Sequence, residues 1–284
     1  MESNGTTVVE RFLEIAVPAV RQAASIARAL EGQVANRPKA GETTPVKAAL
    51  TIADSAAQEA ILAPLADAIP SVRLQAEEDT PSVARFAPEG DHLVVVDPID
   101  GTLHAYLEGS GPYSVMAGLA VEGRYRASVI ALPREDLLVY GRLGEPIAVE
   151  RLSRNGAQER DGSFGLGAAV GEAELPRDVL VSQGVTAGTV ERLRRAGYNP
   201  RFGSGGAIAI APLLPGACAG LRVSRGPEGV SIRGRIGVML SRSAGFAVAA
   251  EEGTFPDDLW SRSATLLVSR DDEGISSLRA ALRE

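Results

Sequence analysis

The sequence has a single cysteine, Cys218, and only two histidines. One cysteine cannot form a disulfide within the chain, and this set is too small for a zinc site built from cysteine and histidine. Any metal ion is therefore expected to be a hard cation held by oxygen atoms. Aromatic residues make up only 4% of the chain, so small aliphatic side chains must fill most of the core.

Long apolar runs are also missing. No stretch approaches the roughly 18 consecutive apolar residues of a membrane-spanning helix, and residues 1–5 do not begin the basic and apolar pattern of a signal peptide. The net charge of -7 argues against a binder of nucleic acid polymers or anionic membranes, because either needs a net basic surface. We therefore expect a cytoplasmic protein.

A short apolar strand followed by a turn carries two carboxylates. Residues 93–96 are apolar and mostly β-branched, which favours a buried strand. The proline and glycine of the next segment, residues 97–102 (DPIDGT), are expected to lead the chain out of that strand. Asp97 and Asp100 can then point into one pocket, while the N–H groups of the two residues after Asp100 are free for an anion. The alternative is a turn that merely ends a strand.

Helical patterns precede this stretch. A capping box within residues 7–10 and apolar residues at helical spacing predict a long first helix that ends near residue 30. Residues 51–54 (TIAD) predict the start of a second helix, which Pro64 and Pro70 are expected to end. Taken alone, Asp54 is an ordinary first-turn acid that stabilises the helix by a fraction of a kcal/mol, roughly.

The remaining patterns predict an α+β first half and an α/β second half. A strand at residues 72–76 leads to the acidic segment 77–79 (EED), which taken alone is a solvated loop. An antiparallel meander follows at residues 113–121, 125–132 and 137–140. The polar, Arg-rich residues 150–163 are interpreted as a hinge. Strands and helices then alternate, at residues 179–181, 189–195, 207–214, 265–268 and 275–282.

Four segments, taken together and in this order, resemble the inositol monophosphatase family of lithium-sensitive, magnesium-dependent phosphatases. They are Lys47 with residues 51–54, residues 76–78 (AEE), residues 97–102 (DPIDGT) and residues 203–204 (GS). The DPIDGT motif, about twenty residues beyond a Glu-Glu pair, is the most specific of them. The resemblance spans most of the chain and implies a layered αβαβα sandwich, usually a homodimer, that hydrolyses a small phosphate monoester of an inositol, sugar or nucleotide.

The resemblance also implies a metal site. Glu77, Asp97 and the backbone carbonyl of Ile99 would hold a first magnesium ion, and Asp97 and Asp100 would share a second. Two such ions neutralise charge on the phosphoryl oxygens and make a water nucleophilic near neutral pH. Residues 1–150 would form the half with the metal and phosphate site, and residues 151–284 the half with the substrate-side residues.

The same resemblance implies how phosphate is bound and attacked. The amides of Gly101 and Thr102 would bind the phosphate, and Asp54 with the Thr102 hydroxyl would help to deprotonate the attacking water. Asp54 and Thr102 are thus the predicted catalytic residues. The candidate substrate-binding residues, with weaker support, are Arg233, Ser204, His104 and Lys47.

One segment departs from the family pattern. The family has a Trp-Asp pair at a helix start in its second half, and residues 231–238 (SIRGRIGV) correspond to it here, so that Ile232 and Arg233 replace the pair. Exchanging a carboxylate for a guanidinium changes the local charge by two units, which should weaken a second metal site.

Three outcomes remain open for Arg233. It can act as the second positive charge in a working phosphatase. It can belong to a basic patch for a second anionic group on the substrate. Finally, the protein can be a catalytically impaired homologue that only binds a phosphorylated ligand or a partner. The residues of the proposed patch are Arg222, Arg225, Arg233, Arg235 and Arg242.

Overall fold

The chain folds into five alternating layers of helices and sheets, in a computed structural model that describes residues 7–42, 44–152 and 177–283. The α-helices are α1 (Val8–Leu30), α2 (Pro45–Ala48), α3 (Ile52–Ala68), α4 (Ala187–Arg195), α5 (Gly205–Ala209), α6 (Ile236–Ser243) and α7 (Asp272–Leu282). The strands are β1 (Arg73–Gln75), β2 (His92–Asp100), β3 (Ser114–Val121), β4 (Arg124–Leu132), β5 (Leu137–Arg142), β6 (Ala148–Arg151), β7 (Asp178–Val181), β8 (Asn199–Phe202), β9 (Ala217–Val223), β10 (Ala247–Ala249) and β11 (Thr265–Ser269).

The two sheets differ in their strand directions. The first has the order β1-β2-β3-β4-β5-β6, and every pair in it except the parallel β1 and β2 is antiparallel, which confirms the predicted meander. The second has the order β10-β11-β9-β7-β8, with the pairs on both sides of β7 parallel. Helices α1 and α3 cover the outer face of the first sheet, α5 and α6 lie between the sheets, and α4 and α7 cover the second. The predicted layered sandwich is confirmed.

Helices α1 and α3 both begin with the predicted capping boxes. At α3, Thr51 accepts a hydrogen bond from the N–H of Ala53, and Asp54 accepts one from the N–H of Thr51. The prediction that Pro64 ends this helix is wrong, because α3 continues to Ala68. Pro64 costs the helix one hydrogen bond, and the burial of neighbouring apolar residues such as Leu62 and Leu65 compensates for that loss.

Strand β2 is longer than predicted and contains a bulge. The chain does not leave the sheet at Pro98, since the strand continues to Asp100. Asp97 lies opposite Met116 of β3 and Asp100 lies opposite Ser114, so that β2 has one more residue than its partner between these positions. Residues three apart in a regular strand face opposite sides of the sheet. The extra residue puts Asp97 and Asp100 on the same side, toward the central helices.

The second half differs from its prediction in one helix. The segment predicted as a helix at residues 207–214 forms the short α5 and then a 3₁₀ turn at Ala211–Leu213, because Pro212 cannot continue the α-helical hydrogen bonds. Most of the predicted hinge at residues 150–163 lies outside the described residues. The division at residue 150 into two halves stays a prediction. Within the described part of the chain, no helix combines the length and the hydropathy needed to cross a membrane.

Candidate active site

The end of β2 and the start of α5 form the floor of the site. Asp97 is 4% exposed. Asp100 Oδ2 accepts hydrogen bonds from the N–H of Gly206, at 2.6 Å, and from the hydroxyl of Ser114, at 3.2 Å. The Ser204 hydroxyl lies 3.2 Å from that of Ser114. The structure therefore brings the predicted residues Asp97, Asp100 and Ser204 together.

Helix α3 contributes a fully buried carboxylate. Asp54 Oδ2 accepts hydrogen bonds from the backbone and hydroxyl of Thr51, at 2.8 and 2.6 Å, and Oδ1 lies 3.0 Å from the hydroxyl of Thr102. The Thr102 hydroxyl also lies 2.8 Å from the carbonyl of Ile99, and its single proton serves one of these two acceptors at a time. Burial raises the pKa of Asp54, although the hydrogen bonds from Thr51 and Thr102 oppose this shift.

Gln58 positions the acidic loop, and the sequence analysis missed it. It lies four residues after Asp54 and therefore on the same face of α3. Its side-chain amide donates to the carbonyl of Glu78, at 2.6 Å, and its oxygen accepts from the N–H of Glu78, at 2.9 Å. This clamp turns Glu77 toward Asp97, and the acidic segment is not the solvated loop that it resembles in isolation. The i to i+4 spacing from Asp54 was the available signal.

Two cations lie among these carboxylates. Arg233 Nε lies 3.3 Å from Asp97 Oδ2, and a terminal nitrogen of Arg233 lies 3.7 Å from Glu77 Oε1. Lys39 Nζ lies 3.3 Å from Glu77 Oε1 and 2.6 Å from Glu78 Oε1. Nothing in the sequence indicates Lys39, which lies in a loop without periodicity. Arg233 therefore contacts both carboxylates among the three predicted ligands of the first metal.

The carboxylates perturb one another. Burial raises the pKa of Asp97 well above its usual value, and the negative charges of Glu77 and Asp100 add to this effect. Burial lowers the pKa of Arg233, but the charges of Asp97 and Glu77 outweigh it, so that the pKa is raised. Five carboxyl groups face two cations here, which leaves an excess of three negative charges when all are ionised. The carboxyl groups are those of Asp54, Glu77, Glu78, Asp97 and Asp100.

The residues fit one divalent cation. In the described ranges, no group of three or more carboxylate, imidazole or thiol side chains lies close enough together to hold a metal ion. Magnesium does not need three, because it keeps several waters and is often held by one or two carboxylates. Asp97 Oδ1 is buried and has no hydrogen-bond partner among the described residues, and Glu77 lies beside Asp97. A second ion lacks a carboxylate, since the guanidinium of Arg233 lies against Asp97 Oδ2 instead.

Three further predicted site residues are Gly101, His104 and Lys47, and they differ in whether they contact the carboxylate cluster. Gly101 has a φ of 90°, and a Cβ there would lie 2.9 Å from the Cβ of Ser204, so that this turn requires glycine. The hydrogen-bond partners of His104 are not members of the carboxylate cluster in the described part of the chain. Its ring nitrogens lie 2.6 Å from Glu108 Oε2 and 2.5 Å from the amide of Gln183. The side chain of Lys47 lies outside the described part of the structure.

Three arginines of the predicted basic patch donate to backbone carbonyls, and the patch as a whole stays a prediction. Arg235 is 3% exposed and donates to the carbonyls of residues 230, 258 and 261. Arg242 donates to the carbonyl of residue 255 and pairs with an aspartate, and Arg225 donates to the carbonyl of residue 184. Arg222 and Arg233 are the two members of the proposed patch that remain candidates for ligand binding.

Comparison with known proteins identifies a family and a fold. The sequence profile of the inositol monophosphatase family matches residues 8–214. A search of curated proteins finds no match.

Among solved structures, an IMPase of Thermotoga maritima is similar, with 18% identity, a TM-score of 0.67, and coverage of 95% of this chain and 97% of the other. The extragenic suppressor protein suhB of Bartonella henselae has 19% identity, a TM-score of 0.69, and coverage of 95% and 98%. An IMPase/NADP phosphatase complexed with NADP and Ca²⁺ has 17% identity, a TM-score of 0.69, and coverage of 97% and 96%. At these identities, the likenesses show the fold.

Proposed function

The chain belongs to the inositol monophosphatase family, a family of metal-dependent phosphatases, and from this membership and the geometry of the site we propose that it is a magnesium-dependent phosphatase of a small phosphate monoester. The observation that carries the proposal is the buried pair of Asp54 and Thr102, whose side-chain oxygens lie 3.0 Å apart, beside a cluster in which five carboxyl groups face two cations. A base held against a hydroxyl, next to a place for a hard cation, suits the attack of water on a phosphoryl group.

We assign a role to each residue of the site. Asp54 accepts a proton through the Thr102 hydroxyl, because the two are hydrogen-bonded and Thr102 begins the turn that follows β2. Glu77, Asp97 and the carbonyl of Ile99 would hold a magnesium ion, which would supply positive charge and lower the pKa of water at the site. The amides of the turn after Asp100 bind the phosphate.

Arg233 takes the part of a second cation. Its guanidinium is always charged, and it lies beside the carboxylates that face the phosphate-binding turn. Positive charge at this position stabilises the negative charge that develops on phosphoryl oxygens, as arginines do in other phosphoryl-transfer enzymes. The site therefore needs one magnesium ion rather than two.

A phosphate-release assay tests the proposal. The purified chain is incubated with inositol, sugar and nucleotide monophosphates while magnesium is titrated, and Asp97→Asn is the matched inactive variant. We expect release that saturates with magnesium without cooperativity, and at least a 100-fold loss in Asp97→Asn. If the wild type releases no phosphate from any of these compounds, the proposal is rejected.

A second candidate function rests on the same ion pairs. Arg233 and Lys39 together neutralise part of the charge of Glu77, Glu78 and Asp97 without any metal. The chain would then be a catalytically impaired homologue that binds a phosphorylated ligand or a partner in the cleft. Calorimetry would show tight binding of such a ligand without turnover, unchanged by Asp97→Asn and by removal of magnesium.

Two predictions from the sequence accompany the proposal. Assembly as a homodimer is proposed from the family membership, and light scattering coupled to gel filtration measures it directly. A cytoplasmic location likewise stays a prediction, since the sequence pattern alone supports it.

A further inference from the structure

Arg222 reaches the central layer of the molecule from strand β9. Its neighbour Leu221 packs on the outer face of the second sheet, so Arg222 points the opposite way. A Cβ added to Gly205 or to Gly234 would overlap the Arg222 guanidinium, which therefore lies between these two glycines. Each is adjacent in sequence to a residue of the site: Gly205 precedes Gly206, which binds Asp100, and Gly234 follows Arg233.

Among the residues that the structure describes, no hydrogen bond or ion pair to the Arg222 guanidinium is found. Its Nη1 is buried without a hydrogen-bond partner, and no ion pair to Arg222 occurs within residues 7–42, 44–152 and 177–283. A second cation, Arg235, is near. Burial lowers the pKa of Arg235, and the positive charge of Arg222 acts in the same direction. Arg235 donates to three carbonyls, whereas Arg222 donates to none in the part of the chain that the structure describes. A buried donor that stays unpaired is costly, so an arginine in this position is expected to have a ligand.

We propose that Arg222, beside Arg233, recognises a second anionic group on the substrate, a carboxylate or a phosphate carried by the alcohol part. This inference rests on the proposed function, because it assumes that the phosphoryl group to be hydrolysed binds at the end of β2. A planar guanidinium binds either anion through paired hydrogen bonds. The substrates are then doubly anionic phosphate monoesters rather than neutral phosphorylated polyols.

Phosphonates test this subsite separately from hydrolysis, since their carbon–phosphorus bond is not a phosphate ester. Three probes, each with three carbon atoms, are compared by calorimetry with the full chain in magnesium: propylphosphonate, 3-phosphonopropionate and propane-1,3-diyldiphosphonate. The variants are Arg222→Gln and Arg222→Lys. Arg225→Gln is the control, because it removes the same charge from an exposed position three residues away.

We expect at least tenfold tighter binding of one or both doubly anionic probes than of propylphosphonate, and the probe that binds more tightly identifies the second group as carboxylate or phosphate. In Arg222→Gln this preference falls to within twofold, in Arg222→Lys it is intermediate, and in Arg225→Gln it is retained. Thermal unfolding verifies that each variant is folded, and Arg222→Lys carries the test if the glutamine variant is not.

Equal affinity of the wild type for all three probes, no binding of any probe, or a tenfold preference that persists without the Arg222 guanidinium would overturn the inference. Absence of phosphate release would reject the proposed function alone, because the phosphonate preference does not depend on turnover.

Discussion

Replacing Arg233 by glutamine separates its role as a cation from its role in packing. The guanidinium lies 3.3 Å from Asp97 Oδ2 and 3.7 Å from Glu77 Oε1, and its side chain is 30% exposed. Breaking a buried ion pair on one side costs about 3–5 kcal/mol, and the partial exposure favours the lower end. Without divalent ions, we expect Arg233→Gln to lower the free energy of unfolding by about 3 kcal/mol, or roughly 6–10 °C in Tm.

Magnesium should reverse this loss. Even in bulk water, unit charges about 4 Å apart interact by about 1 kcal/mol, so removal of the guanidinium relieves about 2 kcal/mol of repulsion for a doubly charged ion. That corresponds to roughly thirtyfold tighter magnesium binding. Arg233→Asp, which also adds carboxylate oxygens, should bind magnesium more tightly still and alter the metal dependence of the rate.

Thermal unfolding from EDTA to millimolar magnesium measures the effect, because a ligand of the native state raises Tm with its concentration. Arg262→Gln is the control, since that residue is exposed and its ion pair among the described residues is with Glu228, at 3.5 Å. If Arg233→Gln and the wild type respond equally to magnesium, Arg233 does not occupy a cation position and the assignment of the segment 231–238 is wrong.

Three further substitutions follow from the structure. Asp54→Asn removes the proposed base while an amide still fills its place, so kcat should fall at least about 100-fold with an unchanged circular dichroism spectrum. Arg235→Lys loses most of three hydrogen bonds to carbonyls, at 3.0, 2.8 and 2.5 Å, and should cost about 3 kcal/mol in urea unfolding; a loss below about 0.5 kcal/mol would contradict this. Glu135 has a buried oxygen without a partner among the described residues, and burial raises the pKa of Glu135. The protonated carboxyl group is therefore favoured by folding below the pKa of the unfolded state, and this contribution to stability is lost as the pH rises through the pKa of the folded state. Glu135→Gln should stabilise the protein by about 1 kcal/mol at pH 7 and not at pH 4, as measured by urea unfolding.

Local signals in the sequence predicted most of the elements that support the site. The capping boxes of α1 and α3 and the meander of β3 to β5 depend on near neighbours in the chain, and they formed where expected. Two predictions made from proline are wrong. Pro64 stays inside α3 because the surrounding core holds the helix, and Pro98 stays inside β2 because the strand bulges there.

The site itself was predicted less completely than its carboxylates. Motif resemblance placed Asp54, Asp97 and Asp100, and the structure brings them close to Glu77. Gln58 and Lys39 both contact Glu78 through their side chains. Gln58 lies 20 residues before Glu78 in the chain, and Lys39 lies 39 residues before it. Contacts at such separations depend on how layers pack, and no local pattern in the sequence records them. The same applies to the arginines, which differ in the carbonyls and carboxylates that each contacts.

The bulge in β2 has a consequence for engineering this site. One additional residue in a strand reverses the face of the sheet to which every later side chain points. The number of positions between Asp97 and Asp100 therefore decides whether both carboxylates lie on one face, whichever side chains occupy those positions. A graft of this centre into another sheet would have to copy that irregular spacing together with the matching strand. A deletion of one position would turn Asp100 toward α3 and away from Gly206. All the carboxylates would still be present, but Asp97 and Asp100 would lie on opposite faces of the sheet.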